Sequence, residues 1–229
     1  MEKTATTVAP VRFSDRLVNF IQRNRKALLI LTISIAAAII IAAVIVAVAD
    51  TMQVKSIDTV EQYSEQYDSL RAKSSDANAA KELDALFKDV QTFANSHGGY
   101  AGARAETILA QIHGDRKEWK EAEAAWISAA QKIPQSYLAP VAYYNGASAA
   151  EEAGDTAKAI ELYTRCVDTY GDTFPLAPRA YFSLGRLQEE TKNTAAALAT
   201  YNKMLNKWPN ESWTKLAHSR ILVLSDSAK

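Results

Sequence analysis

Three arginines and two aromatics are the residues in this 229-residue chain whose types and placement best suit chemistry, and that chemistry is recognition. Arg104, Arg179 and Arg186 offer planar guanidinium forks for carboxylates or backbone carbonyls, and Tyr144 and Phe182 offer apolar anchors. Nothing comparable points to catalysis. The chain has one cysteine, Cys166, so no intramolecular disulfide forms, and no histidine stands near it in sequence to make it a nucleophile. Cys166 reads as a small buried residue. His97, His113 and His218 lie far apart, without the paired spacing of metal ligands. Glu151-Glu152 and Glu189-Glu190 are paired carboxylates, but neighbours on a helix point different ways, so they read as a solvated rim. No phosphate loop or nucleophile elbow is present. No enzyme activity, cofactor or metal is expected.

The elements that must position these side chains are helical hairpins. The clearest runs from Ala177 to Asn210, with a turn at Thr191-Lys192-Asn193. Its first helix carries Tyr181, Leu184 and Gly185, its second Ala197 and Tyr201, and Pro209 closes it. That is the tetratricopeptide pattern: small residues where two helices touch, aromatics beside them, and a proline that stops the second helix. One such hairpin cannot bury its own apolar face and needs stacked neighbours. Residues 140–177 supply Tyr143, Ala147, the turn Gly154-Asp155 and Ala159-x3-Tyr163. Residues 103–139 supply Leu109, Ala110, a turn at Asp115-Arg116-Lys117 and Ala122-x3-Trp126. A degenerate hairpin is expected near 52–95, with Leu83 and Phe87 in place of the alanine and aromatic. A terminal helix over 212–225 turns Leu216, Ala217, Ile221 and Leu224 inward and Lys215 and Arg220 outward.

In stacked hairpins the first helices line a concave face. By repeat position that face is expected to carry Arg104, Thr107 and Gln111, then Val141, Tyr144, Ser148 and Glu151, then Arg179, Phe182, Arg186 and Glu189. The protein-binding groove is therefore assigned to Arg104, Tyr144, Ser148, Arg179, Phe182 and Arg186. Replacing Arg179, Phe182 and Arg186 together is expected to weaken binding at unchanged melting. The alternative is that the aromatics only pack between helices.

The formal net charge is zero, with 26 basic and 26 acidic residues, which argues against nucleic-acid binding. The charge is unevenly spread. Six basic and two acidic residues precede Ala27, leaving that side at +4. Beyond Asp50 stand 20 basic and 23 acidic residues, about −3. Between them, Ala27 to Ala49 is uncharged and holds 13 Leu, Ile or Val residues. As a helix it spans about 34 Å, enough to cross a bilayer, and those residues favour insertion by about 5 kcal/mol. The basic flank Arg23-Asn24-Arg25-Lys26 should stay in the cytoplasm, which puts the large part outside it. Ala47-Val48-Ala49 is a sequence a signal peptidase accepts, but the run is longer than a signal core, so an uncleaved anchor is expected. Phe13, Leu17, Phe20 and Ile21 read either as a short basic amphipathic helix on the leaflet or as the start of the span. Residues 1–11 read as a polar tail.

Asp15 to Leu28 just before the span, Phe93-Ala94-Asn95, Tyr100 to Ala105 and Leu109-Ala110 together resemble the YfgM-like proteins. The resemblance implies an inner-membrane protein with a periplasmic tetratricopeptide-like domain that associates with the SecYEG translocon and periplasmic chaperones. Leu176 to Tyr181 and Lys207 to Asn210 are similar instead to repeats of envelope proteins such as BamD and CpoB. The expectation is an all-α chain with a basic cytoplasmic tail (1–26), a transmembrane helix (27–49) and a periplasmic tetratricopeptide-like α-solenoid (50–229). The solenoid's hairpins are expected near 52–95, 103–139, 140–177 and 178–211, with a cap at 212–225. Its expected partners are translocon subunits, periplasmic chaperones and exported proteins, with no nucleic acid. The alternative role is a scaffold or adaptor of an envelope or outer-membrane assembly complex.

Overall fold

The computed structural model describes residues 13–73 and 76–226. The tail at 1–11 and the break at Ser74-Ser75 lie outside them. Among the described residues all regular structure is helical: α1 (Phe13–Ala72), α2 (Ala77–Ser96), α3 (Gly99–Asp115), α4 (Trp119–Lys132), α5 (Leu138–Glu152), α6 (Thr156–Tyr170), α7 (Ala177–Glu190), α8 (Thr194–Lys207) and α9 (Ser212–Asp226). The chain forms two compact units, one ending at Val54 and the other beginning at Lys55.

Among its described residues, 13–54, the first unit is helix alone. No break separates Phe13–Ile21 from the apolar run, so a separate amphipathic helix is not present. Ile33, Ile39, Ile40, Ile41, Val44 and Ile45 are all exposed, and no part of the most apolar stretch is buried by protein. A helix apolar all round with nothing packed on it is suited to lipid. Its length and composition suffice to cross a membrane, and a signal sequence passes the same test.

The second unit is a solenoid of hairpins, each helix from α2 onward packed on the next and α9 lying against both α7 and α8. The hairpin turns recur in one form. Lys117, Gly154 and Lys192 each hold a left-handed backbone, with φ of 60°, 75° and 61°. In the last two turns the following residue caps the second helix: Asp155 accepts from the Lys158 amide and Asn193 from the Ala196 amide. Two apolar clusters follow. One joins Val60 and Tyr67 of α1 to Leu86, Val90, Ile108 and Ile112. The other runs through Tyr143, Leu162, Tyr163, Cys166, Tyr181, Leu184, Tyr201 and Met204 to Ala217 of the cap. Cys166 is fully buried and its thiol donates to the Pro140 carbonyl at 3.4 Å. Burial pushes that thiol up to about 12, consistent with an inert structural role.

A second device ties each hairpin to the one before. At the end of each second helix a side chain reaches back to a carbonyl at the end of the previous one. Lys132 Nζ donates to Ala94 O and His97 O, Tyr170 Oη to Pro134 O, and Lys207 Nζ to Gly171 O. These carbonyls stand where helices end without an internal donor, so the clasps satisfy groups that stacking would otherwise leave orphaned. Within the cap, Ala217 is buried and Ile221 and Leu224 half-buried. Leu216, expected inward, is exposed; Arg220, expected outward, turns in to meet Glu189. The guanidinium of Arg220 and the carboxylate of Glu189 draw α9 into a register that leaves Leu216 on the far side.

Candidate functional site

The first helices α3, α5 and α7 carry the six residues assigned to the groove, and the structure divides them. Arg104 is half-buried and engaged. Its guanidinium donates to Ser64 Oγ at 2.7 Å and pairs with Glu61 at 3.4 Å, both on α1. It holds the first hairpin to the second and is not open to a partner. Tyr144 is only 8% exposed. Its ring meets the edge of Tyr163 at 5.6 Å and tilts over Phe174 at 6.3 Å. It packs between hairpins, and its assignment as an exposed anchor is corrected on that ground. Phe182 is half-covered by Tyr201 and by Trp213 of the cap, at 5.9 and 5.4 Å. Arg186 pairs with Glu151 of α5 and, at 2.6 Å, with Glu190 of its own helix. Phe182 and Arg186 would cost stability if removed through the contacts they make, so the triple replacement at 179, 182 and 186 is now expected to lower melting as well as binding.

Arg179 and Ser148 differ from these, being exposed. Arg179 is positioned without being neutralised. Its guanidinium lies over the Tyr144 ring at 5.5 Å and over the Trp213 ring at 5.6 Å, between α5 and α9. Among the described residues no carboxylate lies within ion-pair distance of it. Two aromatic rings hold the cation in place, and its exposed guanidinium keeps N–H donors for a further acceptor. Trp213 was not among the expected groove residues; it comes from the cap, which no repeat spacing reaches.

The first glutamate of each pair is not part of a solvated rim, while Glu152 and Glu190 stay exposed. Glu151 accepts from Tyr163 Oη at 2.8 Å and from Arg186. Glu189 repeats the arrangement one hairpin on, accepting from Tyr201 Oη at 3.3 Å and from Arg220 Nε at 3.1 Å. The arginine contact holds the Glu189 carboxyl below the usual carboxylate range. Burial, reinforced by the neighbouring carboxylate, pushes Tyr201 up to about 12 and Tyr163 higher still. Tyr67 is raised in the same way by burial and by its hydrogen bond to Asp115 at 2.7 Å. A phenol raised in the folded state contributes stability fully below its ordinary value near 10, and that contribution is lost as pH rises through the folded value. Alkaline titration should therefore show these tyrosines still protonated above pH 10, with helix content and phenolate absorbance changing together at a higher pH. Ionisation of all ten tyrosines near 10 with helices intact would contradict it.

Two of the histidines are likewise structural. His97 stacks on Phe93 at 3.8 Å, and His113 meets Glu118 at 2.6 Å. Among the described residues no three His, Cys, Asp or Glu side chains are grouped to hold a metal. A concavity of about 880 Å³ lies between the loops that follow α4 and α6 and is walled by Tyr137, Val141, Tyr143, Arg165, Tyr170 and Phe174.

Residues 144–212 match the tetratricopeptide repeat family. The chain is 32% identical over 148 residues to a "TPR repeat-containing protein" of Treponema pallidum (strain Nichols); the match covers 64% of this chain and 61% of that protein's length. Among solved structures it is similar to a tetratricopeptide repeat protein from Parabacteroides merdae ATCC 43184, with a TM-score of 0.51, 19% identity and coverage of 71% of this chain and 61% of that one. It is also similar to the apo form of RapI, with a TM-score of 0.50, 13% identity and coverage of 65% and 55%. Repeat pattern, hairpin geometry and these likenesses agree: the helical domain is a tetratricopeptide-like α-solenoid.

Proposed function

We propose that this chain is a membrane-anchored adaptor that binds proteins through the concave side of its solenoid, without chemistry of its own. The observation that supports it most is Arg179. A guanidinium held over the Tyr144 and Trp213 rings, exposed and without a carboxylate of its own, is a positioned donor for a partner's carboxylate or backbone carbonyl. Residues 27–49 act as the anchor, with the basic residues before them in the cytoplasm and the solenoid on the far side. In the finer reading the solenoid lies in the periplasm and links the Sec translocon to periplasmic chaperones and exported clients, as the YfgM-like resemblance implies.

The second reading, a scaffold of an envelope or outer-membrane assembly complex, is favoured by the similarity of Leu176 to Tyr181 and Lys207 to Asn210 to repeats of that kind. Crosslinking the full-length protein in cells, followed by mass spectrometry, separates the two. Channel subunits and exported chains attached to it, lost when export is blocked, support the translocon role. One stoichiometric partner indifferent to export supports the scaffold.

A further inference from the structure

Of the three inter-hairpin steps from α3 to α9, two are closed by the same three-part contact and the first lacks it. Between α5 and α7 the parts are Glu151, Tyr163 and Arg186; between α7 and α9 they are Glu189, Tyr201 and Arg220. The hairpin offset that carries Lys117 to Gly154 and Gly154 to Lys192 locates the equivalent positions one step earlier, between α3 and α5. There the carboxylate is replaced by Gly114, the tyrosine by Trp126 and the arginine by Ser148. What remains is an open cleft of about 420 Å³, lined by Gln111, Gly114, Trp119, Trp126, Ser148 and Glu152 among others.

One member of the closed step is retained. Glu190, which pairs with Arg186 at 2.6 Å, has Glu152 as its counterpart. Glu152 is exposed, and among the described residues it makes no ion pair. Arg71 and Asp115 also border the cleft, but they are engaged with each other at 3.1 Å. The cleft thus keeps the carboxylate that receives a guanidinium, loses the guanidinium, and replaces the tyrosine with an indole. An added Cβ at Gly114 would make ordinary van der Waals contact with Trp119 at 3.7 Å, so the indole lies beside the position that carries the carboxylate one hairpin later.

We propose that this cleft receives an arginine side chain from a partner segment, in the place Arg186 fills one hairpin later. The incoming guanidinium pairs with Glu152 and lies against the Trp126 and Trp119 rings, which favour a planar cation over an ammonium. This names a partner chemistry for the adaptor reading and rests on it: the bound segment carries an arginine opposite α3 and α5, beside whatever Arg179 holds.

The test uses full-length protein in detergent micelles with fluorotryptophan at its four tryptophans, titrated with the peptide acetyl-Ala-Ala-Arg-Ala-Ala-amide and with its citrulline counterpart. The arginine peptide should move the Trp119 and Trp126 resonances and leave Trp208 in place. Citrulline, isosteric and neutral, should bind more weakly, and Glu152→Gln should weaken the arginine peptide by about fivefold, the scale of a half-exposed ion pair. Ser148→Arg should fill the cleft from within, abolish the response and keep the helix content. Equal binding of the two peptides, an unchanged affinity in Glu152→Gln, or an undiminished response in folded Ser148→Arg overturns the assignment. Loss of the cleft result with protein crosslinks from the concave face still present removes only the arginine site. Peptide binding with no such crosslinks removes the adaptor reading instead.

Discussion

Tyr163→Ala is expected to lower the stability of the solenoid by about 3–5 kcal/mol, the range for deleting a large buried aromatic. Tyr163 is 1% exposed and sits in the middle of the larger core. Its ring packs edgewise with that of Tyr144, over which Arg179 lies, and its hydroxyl anchors Glu151, which holds Arg186. One truncation therefore opens a cavity, strands a carboxylate and loosens the two concave arginines. Tyr163→Phe separates these effects. It keeps the ring and removes only the hydroxyl, and should cost about 1 kcal/mol. Chemical denaturation of both variants, with binding measured on each, checks the ordering. If Tyr163→Phe costs as much as Tyr163→Ala, the hydroxyl network and not the packing supports the hairpin.

Gly185→Ala is the second large effect, and its cause is overpacking. Gly185 is the point where α7 comes closest to α8. A Cβ built there would lie 2.8 Å from Cδ1 and Cζ of Tyr201. That ring is fully buried, pinned on one side by Phe182 and through its hydroxyl by Glu189, so it has little room to yield. Destabilisation of about 1–3 kcal/mol is expected, against the small gain that alanine ordinarily brings to a helix interior. Gly114→Ala is the control: its Cβ meets nothing closer than 3.7 Å, so it should be neutral or stabilising. A thermal melt in which the two glycine variants behave alike would show that the close approach at Gly185 is not what the residue is there for.

The hairpins were legible because each turn announces itself locally. Gly154-Asp155 and Lys192-Asn193 place a left-handed residue before a capping side chain, and the small–aromatic pairs Ala159-Tyr163 and Ala197-Tyr201 recur at helical spacing. The groove was harder, for a physical reason. A residue on the inner side of a first helix faces both the concave surface and the neighbouring first helix. Which of these it serves depends on a partner one hairpin away. Arg186 looks free until Glu151 is placed beside it, and Arg104 until Glu61 and Ser64 are. A signal did exist: Glu151 and Glu189 each precede a tyrosine by 12 residues, and both tyrosines fall on the inward face of the next helix. Reading that spacing as a contact would have moved the glutamates from rim to ladder. Trp213 carried no such signal, since the cap obeys no repeat offset, and the stack that holds Arg179 was out of reach without the fold.

Binding of protein by the concave side of the solenoid is checked by site-resolved photo-crosslinking in living cells. A photoreactive residue is placed at Ser148 or Arg179 on the first helices, and at Asp168 or Lys203, exposed on the second helices α6 and α8, in the full-length chain. Discrete protein adducts from 148 and 179, absent from 168 and 203, are the predicted result. Adducts only from 168 and 203, or none from any position in a folded and membrane-inserted protein, would contradict it.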